Sequence, residues 1–238
     1  MWFKSHPRYF IFKVKMLILG IDDAGRGPII GPMVLAGTLI EKKDEAYLRK
    51  LGVKDSKKVT PKRREILAEE IKKIAKGYAV SIAPPSEIDS RASSGLNLND
   101  LEAIKSAEII NKLNKGKEKI EVVIDCPSPN IPKWREYVLK HIREPDNLIL
   151  KAEHKADVNH AACSAASIIA KVTRDAEIEK IKKQIGVDFG SGYPADPVTI
   201  KFLQEHGKKF RKEGIFRETW QTWQNLKGKK EQKGINEF

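Results

Sequence analysis

The chain is poor in the residues that would tie it to several large protein classes. It has two cysteines in 238 residues, Cys126 and Cys163. Both lie in apolar neighbourhoods, which excludes a disulfide scaffold and suits a reducing interior. Histidines number five and show no metal-ligand spacing, which removes a zinc site built on His and Cys. No apolar run is long enough to span a bilayer, so the expectation is a cytoplasmic protein with no membrane partner. Negative charge is also short, with 32 Asp and Glu against 45 Lys and Arg, a formal charge of +13. That imbalance favours a polyanionic partner, nucleic acid first, because neutralising phosphates releases counterions. The competing account is a Lys- and Glu-rich surface of a heat-adapted protein.

What is present begins at residue 16. Residues 1–15 are basic and aromatic, but Lys13 and Lys15 interrupt the apolar run and no small-residue cleavage site follows. We expect translation to start at Met16 and the extension not to be native. Residues 16–186 read as one core domain, and 187–238 as a small helical C-terminal lobe ending in a frayed tail. A buried strand is expected at Leu17–Ile21, and further strands at Met33–Ile40, Tyr78–Ala83, which alternates, Lys119–Asp125 and Asn147–Leu150, the first two paired antiparallel. Helices are expected from Thr60-Pro61 to about Lys76, from an Asn99 cap to Leu113, and from Pro132 to Lys140. Another runs from Val158 through a small-residue stretch to Gly186. Small side chains on every face of this last helix suit close packing at the centre.

Two of these β-runs end in acid. Asp22 and Asp23 follow Leu17–Ile21, and Asp125 closes Lys119–Ile124; Asp157 stands at the start of the small-residue helix. Neighbouring strand ends in one sheet lie about 5 Å apart. Because strand side chains alternate, Asp22 and Asp23 share one site only if their strand bends as it ends. Like charges at that density raise one another's pKa, and divalent cations resolve the conflict; an all-carboxylate set suits Mg²⁺ or Mn²⁺. Two such ions activate a water and stabilise the leaving oxygen of an in-line phosphodiester displacement. Gly25 and Gly27 let backbone amides approach a ligand with Arg26 between them. Ser56 and Lys57 form a donor cluster suited to phosphate. Tyr193, a lone aromatic among glycines and prolines, suits stacking on a base or sugar. Trp220 and Trp223, at helical spacing, read as packing residues.

Gly20-Ile21-Asp22-Asp23-Ala24-Gly25-Arg26-Gly27-Pro28, Asp55-Ser56-Lys57-Lys58, Val123-Ile124-Asp125, Lys155-Ala156-Asp157, Ala170-Lys171-Val172-Thr173-Arg174-Asp175 and Gly190-Ser191-Gly192-Tyr193-Pro194 together resemble type 2 ribonuclease H in its archaeal form. The resemblance implies an α/β fold, a ribonuclease H-like mixed five-stranded sheet flanked by helices. It implies endonucleolytic cleavage of RNA in RNA–DNA hybrids and 5′ of single ribonucleotides in duplex DNA, leaving 5′-phosphate and 3′-hydroxyl ends. By it, Asp22, Asp23, Asp125 and Asp157 would be catalytic and ligate two metal ions. Gly25, Arg26 and Gly27 would read the ribose 2′-hydroxyl through backbone contacts, and Tyr193 would hydrogen-bond it while stacking on the next sugar. Ser56 and Lys57 would hold a phosphate of the duplex. The family usually carries Asp-Glu where this chain has Asp22-Asp23, and one methylene less shortens the second ligand by about 1.5 Å.

A monomer acting on these duplexes is expected, with recruitment by a sliding clamp left open. A resolvase or integrase on the same sheet would also place acids at strand ends, but gives no reason for Gly25-Arg26-Gly27 beside Tyr193. A non-catalytic binding module accounts for the charge but not for the acids.

Overall fold

The computed structural model describes residues 16–53 and 59–226. The expectations for residues 1–15, for the tail and for Ser56 and Lys57 fall outside them. In chain order the elements are β1 (Leu17–Ala24), β2 (Met33–Glu41), α1 (Glu45–Leu51), α2 (Pro61–Ile74), β3 (Gly77–Ala83), α3 (Pro85–Ser90) and α4 (Leu98–Leu113). Then come β4 (Ile120–Asp125), α5 (Ile131–Lys140), β5 (Leu148–Glu153), α6 (Ala156–Asn159), α7 (Ala161–Ile185) and α8 (Pro197–His206).

The strands form one sheet in the order β3-β2-β1-β4-β5. β1 is central. It pairs antiparallel with β2 and parallel with β4, and β5 extends the sheet in parallel. Its alternation divides the core. Leu17, Leu19 and Ile21 pack with Ile109, Ile110, Trp134 and Val138 on the side of α4 and α5. Ile18 and Ala24 pack with Leu48, Leu67, Ile71 and the alanines of α7 on the other. A strand covered on both faces is apolar at both parities, which is why it was legible.

Helix α7 lies very close to the sheet. A Cβ built on Gly20 would stand 2.2 Å from the Ala162 carbonyl carbon. Thr38 donates its hydroxyl to the Ala162 carbonyl at 2.6 Å, and the Cys163 thiol lies 3.3 Å from the Val123 carbonyl. Small residues on α7 are therefore the condition for seating a helix across β1, β2 and β4 at once.

Several boundaries differ from expectation. Helix α4 is capped by Asn97, not Asn99: the Asn97 side chain accepts from Asp100 N while Asp100 accepts from Asn97 N, a reciprocal box that releases Asn99 for other work. Helix α2 ends at Ile74 and Gly77 opens β3 instead of closing the helix. β5 runs on to Glu153. The chain between Val158 and Gly186 is not one helix. The short α6 carries Asp157, the backbone breaks at His160, and α7 begins anew. After α8 the basic, aromatic segment expected to be helical holds only a 3₁₀ turn at Arg211–Glu213 and helix over 221–226. Its side chains Phe210, Phe216 and Trp223 pack with Phe189 and Phe202 and with Ile29 and Ile30, which follow the glycine turn.

Gly20→Ala should cost about 3 kcal/mol or more, because its methyl meets backbone that no rotamer change can clear. Thermal melting should show the midpoint fall by roughly 10 °C; an unchanged midpoint would mean α7 is free to lift from the sheet.

Candidate active site

The first acid stands where β1 and β4 run side by side. Ile21 pairs with Ile124, so Asp22 and Asp125 project from the next positions of adjacent parallel strands. Asp125 then fixes the third acid: its Oδ1 accepts from the Ala156 amide at 3.0 Å, the first residue of α6. Lys155 reaches that amide position through a left-handed turn, φ 59°. Asp157 follows one residue later and is buried. One carboxylate thus ties the end of β4 to the short helix that presents the next.

Alternation places Asp23 differently. β1 stays regular through Ala24, so the expected bend after Ile21 is absent and the two acids leave opposite faces of the strand. Asp22 lies toward α7, where Ser167 hydrogen-bonds to it and Lys171 faces it. Asp23 lies toward α4, where its strongest charged neighbours are Glu102 and Arg26. Both still reach one cleft of about 470 Å³, which Asp125, Asp157, Gly25, Arg26, Gly27 and Tyr193 also line. Four acids that span residues 22 to 157 of the chain are therefore brought together, with three residues of the glycine turn and the tyrosine.

The electrostatics are strained. Burial, followed by the charge of Asp23, pushes the Asp22 carboxyl up to about 7, against the pull of Ser167 and Lys171. Asp23 is raised as well, by burial and then by Glu102. Glu102 is itself raised to about 7 by burial, although the Arg26 guanidinium pairs with it. Among the described residues, no group of three His, Cys, Asp or Glu side chains forms a ready metal cage. The carboxylates share a cleft, not a point.

The glycine turn is held from two sides. The Arg26 guanidinium is held by Glu102 and by Asn99, whose Oδ1 accepts at 2.5 Å. The Gly192 carbonyl accepts from the Ile29 amide at 2.8 Å and brings Tyr193 alongside. A Cβ on Gly27 would be 3.8 Å from Tyr193 Cε1, so ring and turn face one another. The ring is 38% exposed and has the Arg174 guanidinium 5.1 Å from its centre. Arg174 also donates to the Ser191 carbonyl at 2.8 Å. At Gly25, φ is 82°, and a Cβ would meet the Pro32 carbonyl at 2.9 Å, so the turn needs glycine there.

Sequence reasoning assigned no role to Glu102, Arg64, Lys171, Arg174 or Arg217. Ser167, Lys171 and Arg174 follow one helical stripe of α7, a signal visible in the spacing. Arg64 reaches the site from α2 through Asp175, at 2.9 Å, and nothing local announces it.

A central strand paired antiparallel on one side and parallel on the other, with acids at its end and on the adjoining strand, is the ribonuclease H-like arrangement. The family model for ribonuclease HII matches residues 19–223. The chain is 42% identical over 228 residues to ribonuclease HII of Pyrococcus furiosus, covering 94% of this chain and 98% of that protein. Its fold is similar to the crystal structure of ribonuclease H2 from Pyrococcus horikoshii, with a TM-score of 0.78, 38% identity, and 90% and 98% of the two chains covered. It is similar also to ribonuclease HII in a PCNA complex from Archaeoglobus fulgidus, at a TM-score of 0.76, 41% identity, and 88% and 96% coverage. The chain belongs to the ribonuclease HII family, metal-dependent endoribonucleases that cleave the RNA strand of RNA–DNA hybrids.

An acid whose folded pKa is raised binds more protons folded than unfolded between its two pKa values, so stability falls as pH rises through that window. For Asp22 the window runs from 3.8 to about 7. In EDTA, Asp23→Asn should therefore raise the melting midpoint at pH 8 by roughly 3 °C or more and leave it nearly unchanged at pH 4. A parent protein that is equally stable at both, and insensitive to this substitution, would mean that the acids do not repel.

Proposed function

We propose that this cleft is the active site and that the protein nicks duplex DNA 5′ of an embedded ribonucleotide as well as cleaving hybrids, leaving 5′-phosphate and 3′-hydroxyl ends. The carrying observation is the convergence of Asp22, Asp23, Asp125 and Asp157 on one cleft of a strongly basic protein. Their chemistry fits hard divalent cations. The acidic residues that line the cleft, all aspartates, offer only oxygen donors, and Asp22 needs added positive charge to ionise fully near neutrality. An open cleft suits Mg²⁺ or Mn²⁺ better than a closed cage, because such ions keep positions for water and substrate phosphate. Asp22, Asp23, Asp125 and Asp157 would hold two ions, which when bound supply positive charge to the attacking water and the leaving oxygen of an in-line displacement.

The other residues recognise the substrate. Main-chain groups of Gly25, Arg26 and Gly27 read the 2′-hydroxyl, the feature that separates RNA from DNA. Tyr193, across from Gly27, hydrogen-bonds the same hydroxyl and stacks on the next sugar, with Arg174 bracing its ring. Lys171 and Arg64 lie on the same cleft, where their charge would draw in phosphate. Ser56 and Lys57 hold a backbone phosphate of the duplex. The protein acts as a monomer in the cytoplasm. The complex of the A. fulgidus relative with PCNA supports a clamp as a partner of this protein, and the C-terminal tail is the segment we assign to it.

A nicking assay on a DNA duplex with one ribonucleotide, run with Mg²⁺ and with Mn²⁺, tests the reading. Asp125→Asn should lower turnover on the order of 10²–10³-fold while leaving duplex affinity within about twofold. Equal cleavage of an all-DNA duplex would favour a resolvase, and no cleavage with either ion a binding module. Tyr193→Ala should cost about tenfold more on the single-ribonucleotide substrate than on a long hybrid; equal losses would remove the role assigned to its ring.

A further inference from the structure

The carbonyls of the glycine turn are all gripped from behind by one distant segment. Arg217 is completely buried, and its guanidinium donates Nη2 to the Gly25 carbonyl at 2.6 Å, Nη1 to that of Arg26 at 2.8 Å and Nε to that of Gly31 at 3.0 Å. Trp220 Nε1 donates to the Gly27 carbonyl at 3.3 Å. The segment bearing them is itself anchored: Asp89 accepts from the amides of Glu218 and Thr219 at 2.7 and 3.0 Å, and Phe216 bridges to Ile30.

This arrangement determines where the amides of the turn point. In a trans peptide the carbonyl and the following N–H lie on opposite sides of the chain, and no cis peptide is present among the described residues. Drawing the Gly25 and Arg26 carbonyls inward onto Arg217 turns the Arg26 and Gly27 amides outward. Among the described residues no acceptor takes either amide. The guanidinium behind them adds positive potential to a pair of neighbouring donors, a concavity suited to an oxygen ligand. Burying an arginine is costly, and burial holds its pKa down to about 9. Local packing of Phe216 and Trp223 does not require a cation at that place.

We propose that Arg217 is the positioning residue that aims the Arg26 and Gly27 amides at the ribose 2′-hydroxyl, with Trp220 completing the grip, so that the C-terminal segment sets ribonucleotide discrimination. The proposal rests on the reading of the turn given above. Lysine has one ammonium for three carbonyls and lacks the planar fork, so Arg217→Lys keeps the charge but frees the turn.

The test measures, on the full chain with Mg²⁺, kcat and KM for a duplex with one ribonucleotide and the inhibition constant of the same duplex made of DNA throughout. Arg217→Lys should lower kcat/KM by about 10- to 100-fold and leave inhibition by the all-DNA duplex within about twofold, so that discrimination falls. Trp220→Phe, which removes only the indole N–H, should lower kcat/KM roughly threefold in the same pattern. Preserved discrimination in a folded Arg217→Lys overturns the proposal, as does equal weakening toward both duplexes, which would assign Arg217 to packing alone. If Arg217→Lys does not fold, Trp220→Phe decides by the same two constants, and no change there overturns it. A parent protein that does not discriminate sinks the reading of the turn itself, whereas discrimination retained by the variants sinks only the role of Arg217.

Discussion

Repulsion between carboxylates that the sheet forces together is the constraint around which this molecule is arranged. β1 and β4 run parallel and in register, so Asp22 and Asp125 cannot move apart without breaking the strand pairing. Asp157 is drawn in by the hydrogen bond from Ala156 to Asp125. Burial, and after it the charge of Asp23, raises Asp22 to about 7, although the Ser167 hydroxyl and Lys171 pull the other way. A site that is uncomfortable by itself and relieved by cations has a built-in affinity for them.

The glycine turn beside the acids depends on the opposite charge. Arg217 reaches it across 192 positions of sequence, and Arg174 braces both the Ser191 carbonyl and the Tyr193 ring. Acids stand at the strand ends, and arginines stand behind the turn and the tyrosine. The net charge of +13 is thus compatible with an acidic centre, because the positive groups lie around and behind it.

Much of this was legible locally. The central strand was expected because a β-run covered on both faces loses its polar alternation, the edge strand β3 because its run alternates, and the close seating of α7 followed from its alanines and serines. Asn97 displaced Asn99 as the α4 cap because the partner of a capping box, Asp100, stands three residues after Asn97. The break at His160 was hidden, since Val158 to Lys171 holds neither glycine nor proline to mark it. Only the contact of Ala156 with Asp125 requires the separate turn that carries Asp157.

What the sequence alone determined were the short-range quantities: which segments are apolar at which period, where glycine relieves a left-handed turn, and which acids end strands. Those depend on a few neighbouring residues. Tertiary structure alone decided that Asp23 leaves the far face of β1 toward Glu102, that the Arg26 guanidinium pairs with Glu102, and that Arg217 lies behind the glycine turn. Each is a contact between residues 76 to 192 positions apart. Side-chain alternation and desolvation settle such contacts only once the sheet is assembled, because until then neither a face nor an interior exists.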